Sequence, residues 1–236
     1  MTWILTNSAR AFDLLNPRAE NVLTTDIAHA LSLVCRFNGH CAWHYSVAQH
    51  SLLVAYIIEK EGGTPEEQLA GLLHDAAEAY ITDVTRPLKL LLLEAARQRE
   101  NVWLTLVEQY ASESGMRNVV SIRAAAMRIL TTTEREGISL LLDVYQQIEQ
   151  RIWLAIAERF HLAPELPDCV HRADMIALST EKRDLLPEHP TPWECLEGYA
   201  PLAERILKMQ PEIVRQQFHD RLLGLMAVTH RRRAAA

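Results

Sequence analysis

The chain has 236 residues, 49% of them hydrophobic and 23% charged, with 30 acidic against 24 basic side chains and a net charge of −6. That supplies material for one sizeable core, so a single domain spanning 1-236 is expected. The acidic balance, interrupted only by Arg231 to Arg233, argues against an extended nucleic-acid partner and leaves small phosphorylated ligands open.

Four cysteines, Cys35, Cys41, Cys169 and Cys195, form no CxxC pair and no disulfide-scaffold density, which fits a reducing compartment. Met1 to Asn21 carries charges and a proline and lacks a long apolar run. Neither a signal peptide nor a membrane span is expected, and the cytoplasm is the expected location.

In chain order, Thr2 to Thr6 and Ala11 to Leu15 are short apolar stretches that suit a small β-hairpin. Asp26 to Phe37 is helical by pattern, with Thr25 as its cap and Asn38-Gly39 as its stop. Arg36 then falls in the last turn, where an arginine commonly just complements the helix dipole. Ser46 with Gln49 marks a capping-box start for a helix to about Lys60. His50 projects from its apolar face among Val47, Leu53, Val54 and Ile57, and taken alone it reads as a core histidine. His40 and His44 precede that cap in a loop and border a site more readily than they bind metal.

The stretch Thr64 to Lys89 reads as one helix, with Thr64 as cap, Pro65 at the first position and Glu67 closing a capping box. Leu69, Leu72, Leu73, Ala76, Ala77 and Tyr80 fill one face. At roughly 100° per residue, Gln68, Gly71, His74, Asp75 and Glu78 crowd the opposite arc, with Gly71 leaving room beside them. A solvated face normally mixes Lys, Arg and Glu. A lone His-Asp dipeptide is more often surface chemistry, so its weight depends on ligands from other helices.

Leu90 to Phe160 is helix-rich, broken at Ser114-Gly115 and weakly at Thr131 to Thr133. Asp168 caps a further helix to about Lys182, in which Asp174 is flanked by Val170, Ala177 and Leu178. A carboxylate on that face needs a partner, because buried charge is costly unless paired or metal-bound. Pro187 to Pro192 is a loop, Trp193 to Tyr199 a short element and Pro211 to Thr229 a last amphipathic helix.

His50, then His74-Asp75, then Asp174 is the H…HD…D order of the HD superfamily of metal-dependent phosphohydrolases, which the chain resembles. VAQHSLLVA followed by GLLHDAAEAYITDVTRPLK is similar to the bacterial 5′-deoxynucleotidases and related phosphohydrolases. The resemblance implies an all-α helical bundle that hydrolyses (deoxy)nucleoside 5′-monophosphates to nucleoside and phosphate. It makes His50, His74, Asp75 and Asp174 the ligands of one divalent ion and Glu78 the catalytic carboxylate beside the metal water. Arg36 would bind phosphate, Asp83 would accept a sugar hydroxyl, and Lys89 is a weaker phosphate candidate.

The chain departs from that family at Gln49, where Glu is usual, and at Thr82 and Arg86, where small residues are usual. Leu91 to Val144 reads as an inserted helical segment serving as lid, homodimer surface or spacer. Two imidazoles and two carboxylates without cysteine favour Mn²⁺, Co²⁺, Fe²⁺ or Ni²⁺, with Zn²⁺ also compatible. The alternatives are hydrolysis of a deoxynucleoside triphosphate or guanosine alarmone, a diiron oxygenase recruiting His40 or His44, and a non-catalytic metal-binding helical module.

Overall fold

The computed structural model describes residues 2–113 and 143–235. Strands β1 (Trp3–Leu5) and β2 (Ala11–Asp13) form the expected antiparallel hairpin, with Ile4 opposite Phe12. Among the described residues all other regular structure is helical: α1 (Thr24–Leu33), α2 (Val47–Lys60), α3 (Pro65–Leu73), α4 (Glu78–Ile81), α5 (Arg86–Glu113), α6 (Val144–Phe160), α7 (Asp168–Leu185) and α8 (Pro211–Ala235), with three 3₁₀ turns. Among the described residues no helix is long and apolar enough to cross a membrane.

The core follows from the apolar faces. Ile27, Leu31, Val47, Leu69, Leu72, Leu73, Ile152, Ile156, Phe218 and Leu222 are fully buried, and Phe12 and Val22 seal one side. A smaller cluster of Val54, Ile57, Ile58, Ala70, Val170, Ala173 and Ala177 cements α2, α3 and α7 to one another. Gly71 serves that contact: a Cβ there would collide with the Ile58 side chain and touch Val54. The room it leaves therefore belongs to α2, and the expectation that it opens space beside the polar arc is corrected.

Several boundaries differ from the sequence reading for identifiable reasons. The first helix ends at Leu33, not Phe37, because Val34 to Arg36 turn extended and pair backbone to backbone with Tyr45 to Val47. Arg36 instead opens a 3₁₀ turn, Arg36–Gly39, in which Phe37, Asn38 and Gly39 all have left-handed φ. Thr25 is not the cap either; Leu23 holds that position, and Asp26 is buried, accepting from Ser8 N at 2.9 Å and Ser8 Oγ at 2.6 Å.

The Thr64–Glu67 capping box is present in both directions. The Ser46 cap is one-sided, since Gln49 Nε2 leaves to donate to Leu207 O at 2.7 Å. The single helix expected over Thr64 to Lys89 is three pieces, α3, α4 and the start of α5. Past Leu73 the amides of Ala76, Glu78, Ala79 and Tyr80 bond three residues back, so the winding tightens to 3₁₀ geometry. Thr82 then adopts φ 67° and ends α4.

Asp168 is the first residue of α7 rather than its cap, and the helix runs to Leu185. The last helix extends past Thr229 to Ala235, and the short element near Trp193 is a 3₁₀ turn at Glu194–Leu196. The first part of the expected insertion continues α5 as plain helix to Glu113; its expected breaks at Ser114-Gly115 and Thr131 to Thr133 lie outside the described residues.

Candidate metal centre

His50 lies in the first turn of α2, His74 and Asp75 in the tightened turn after α3, and Asp174 at the middle of α7. Packing of those helices brings the four side chains together. His50 Nε2 is 3.4 Å from His74 Nε2, 3.1 Å from Asp174 Oδ1 and 3.5 Å from Asp75 Oδ2. His74 Nε2 is 3.3 Å from Asp75 Oδ2 and 3.9 Å from Asp174 Oδ1. Donors about 2.1 Å from a shared ion stand about 3.0 Å apart at right angles and about 3.4 Å apart at tetrahedral angles, so these spacings suit a transition metal. His50, His74 and Asp174 form a group whose donor atoms all lie within 4.8 Å of one another and could hold a metal ion.

The second nitrogens bear on which ring atoms are free to ligate. His50 Nδ1 donates to Glu181 Oε1 at 2.6 Å, and His74 Nδ1 donates to the carbonyl of Gly71 at 2.8 Å. With both Nδ1 protons committed outward, two neutral imidazoles aim bare Nε2 lone pairs at one point. A cation placed between them relieves that repulsion, and a carboxylate behind a ligating histidine is the usual orienting arrangement. In the metal-free chain a proton takes that role. Burial and the Arg36 charge lower the His50 pKa, but Glu181 and the bonds to Asp174 and Glu181 outweigh them and raise it to about 10. His74 is raised as well, its burial outweighed by Asp75. The same attractions hold Asp75 and Asp174 below the ordinary carboxylate range despite their burial.

Glu181 was not singled out in the sequence. It is fully buried on α7, and its other oxygen, Oε2, lies 3.3 Å from Arg36 NH2. The signal was available: Glu181 follows Asp174 by two helical turns and so repeats its face. Arg36 is 11% exposed at its side chain and also reaches Asp75 Oδ2 at 3.4 Å, while its Nε is buried with no partner.

Glu78 is only 4% exposed, because the tightened turn swings it off the polar arc and inward. Burial raises its pKa well above the usual value, Asp75 and Asp83 add to the rise, and its Oε2 has no hydrogen-bond partner. Lys89 is bonded to Glu149 at 2.8 Å and lies 3.7 Å from Glu78 Oε1, so its charge is shared between two carboxylates. Asp83 is half-buried; burial raises its pKa, with the charges of Arg36, Asp75 and Lys89 close enough to act on it. His40 is exposed and His44 Nε2 lies 3.3 Å from Leu33 O, so neither joins the ligand group.

A cleft of ≈ 490 Å³ opens beside the cluster. His74, Asp75 and Glu78 form one wall, and Glu149, Gln150 and Trp153 of α6 with Pro164 to Leu166 form the other.

Comparison with known proteins places the chain beside relatives of undetermined role. It is 29% identical over 198 residues to YfdR of Escherichia coli (strain K12), described as uncharacterised, covering 84% of this chain and 80% of that one. It is 42% identical over 91 residues to the uncharacterised protein RCAP_rcc00048 of Rhodobacter capsulatus, a match spanning 37% of this chain and 46% of the relative. No family model matches the chain.

Proposed function

We propose that the protein is an HD-type, cytoplasmic, metal-dependent phosphohydrolase that cleaves the phosphomonoester of (deoxy)nucleoside 5′-monophosphates. The observation that carries this reading is the pair of converging Nε2 atoms, 3.4 Å apart, backed by Glu181 and Gly71 and faced by two aspartates. His50, His74, Asp75 and Asp174 are the ligands. A divalent ion held by them would polarise a phosphoryl oxygen and acidify a water.

The chain's own groups supply the rest. Arg36, anchored to Asp75 and Glu181, supplies positive charge beside the cluster for a phosphate. Glu78 is held in a dry position next to Asp75, where burial favours its protonated form. Protonated, it can give that proton to the leaving alkoxide and then recover one from the attacking water. Lys89, close to Glu78 Oε1, offsets the charge that appears on Glu78 when the proton leaves. Asp83 accepts a sugar hydroxyl.

The deciding experiment is a panel of phosphoesters assayed with added Mn²⁺ and Co²⁺. Release of phosphate from deoxynucleoside monophosphates, with triphosphates poor, supports the reading. Release of triphosphate from a deoxynucleoside triphosphate, with none of the monophosphates cleaved, overturns it.

A further inference from the structure

The loop that carries Arg36 begins and ends with cysteine. Cys35 and Cys41 are both half-buried, and their sulfur atoms stand 3.8 Å apart. The backbone on each side is fixed: Cys35 pairs with Ser46 across an isolated β-bridge, and Ala42 N donates to Leu185 O at 2.8 Å. Between them Phe37, Asn38 and Gly39 take left-handed φ values of 56°, 53° and 80°, folding the loop back so that its ends meet. Cys41 Sγ further donates to Trp43 O at 3.0 Å and lies 3.9 Å from Arg36 O.

We propose that Cys35 and Cys41 are an oxidative modification site, forming an intrachain disulfide with a low-molecular-weight disulfide such as oxidised glutathione. One protein thiolate attacks the small disulfide, expelling one glutathione thiol and leaving a mixed disulfide. The second cysteine then attacks the protein sulfur of that bond and expels the other thiol. Two protein thiols are thereby oxidised, one small disulfide is reduced to two thiols, and no further oxidant is required. Burial and the neighbouring Cys35 hold the Cys41 thiol above its usual pKa, and the short reach between the two sulfur atoms makes the second attack intramolecular, which offsets the smaller thiolate fraction.

Bonded sulfur atoms sit about 2.05 Å apart, so the two must close by roughly 1.8 Å. That rotates both side chains and removes the Cys41 S–H that bonds Trp43 O. Arg36 follows Cys35 directly in the loop being drawn shut, whereas His50, His74, Asp75 and Asp174 lie outside it. Oxidation therefore acts first on the guanidinium and its contacts to Asp75 and Glu181, while the segments that carry the four ligands stay outside the closed loop. The consequence for turnover rests on the proposed phosphate role of Arg36; the modification site does not.

The test uses the metal-loaded, full-length protein incubated with oxidised glutathione, mapped as peptides without reductant, and assayed before and after dithiothreitol. The expected result is a Cys35–Cys41 cross-linked peptide, unchanged metal content and a KM raised about tenfold, the loss that accompanies one displaced charge-assisted bond. Dithiothreitol should restore the KM, and a Cys41→Ser variant should keep basal activity and lose the response. Glutathione attached to separate cysteines with no cross-link would overturn the site, and a cross-link with KM unchanged would overturn its effect on Arg36. If the reduced protein hydrolyses no phosphoester, the phosphohydrolase reading fails by itself and the peptide map still decides the modification site.

Discussion

Replacing Glu181 with glutamine separates a metal centre from a buried salt-bridge cluster. One Glu181 oxygen lies 2.6 Å from His50 Nδ1 and the other 3.3 Å from Arg36 NH2, and the side chain is fully buried. An amide cannot serve both donors. With its oxygen toward His50, its NH₂ meets the guanidinium. Flipped, it obliges His50 Nδ1 to accept, which moves the imidazole proton to Nε2 and into the ligand cluster. One buried unsatisfied group costs about 1–3 kcal/mol, and loss of a buried charge partner for Arg36 can bring the total to about 3–5 kcal/mol.

Metal affinity should fall by about 10- to 100-fold, the usual effect of losing a partner behind a ligating histidine. Urea unfolding of the metal-free protein reads the first quantity and Co²⁺ titration calorimetry the second. Burial works against the Glu181 charge, but Arg36 and His50 outweigh it and lower the pKa. The stability it contributes is then present above its unfolded pKa of about 4.3 and disappears as pH falls through the lower folded value, so the gap between wild type and variant should shrink in acid. A Glu181→Gln protein with wild-type Co²⁺ affinity would refute the argument that this carboxylate fixes the ligating tautomer.

Metal uptake should expel protons, because the metal-free chain holds His50 protonated up to about 10; apparent affinity should climb with pH below that value, and calorimetry in buffers of different ionisation heat counts the protons. Asp75→Ala and Asp174→Ala should each lose metal and activity together, as read by metal analysis after desalting, and an Asp75→Ala protein with full metal content would remove Asp75 from the ligand set. Glu78→Ala should retain the metal while kcat drops by about 10²- to 10⁴-fold; loss of metal instead would make Glu78 an anchor of the site. Asp83→Ala should erase discrimination against 2′,3′-dideoxy substrates, expected at about 5- to 150-fold in kcat/KM from one unpaired buried acceptor.

Where a local chemical signal existed, the sequence was readable. The hairpin, the Thr64–Glu67 capping box and the span of α2 follow from short-range rules and are present in the fold. His50 and Asp174 stood out as polar groups on otherwise apolar helix faces, whereas His74 and Asp75 lay on a polar arc and joined them as a set only through the resemblance to the HD superfamily. Long-range pairing was not visible. Val34 and Cys35 carry no helix-stop signal, and they leave α1 because Tyr45 to Val47 offer them backbone partners. Nor does AAEAY forecast 3₁₀ winding, since every residue in it tolerates an α-helix; bringing His74 and Asp75 to one point on α2 and α7 overrides that local preference. Glu181 escaped notice for a related reason: an acid near a helix C-terminus reads as solvated until Arg36 and His50 are seen to enclose it.

The N-terminal hairpin has a bearing on Glu78 that its distance in sequence conceals. Phe12 of β2 is fully buried and stacks on Tyr80 with ring centroids 3.7 Å apart and planes 12° from parallel. Tyr80 belongs to α4, a helix of four residues that also carries Glu78 and is too short to persist unaided. The hairpin is pinned in turn by Asp26 through Ser8 and by Arg151 through the carbonyl of Leu15. Trimming the chain ahead of Val22, or fusing a bulky partner that pries Phe12 out, should therefore loosen α4 and the placement of Glu78 from a point more than sixty residues away in sequence.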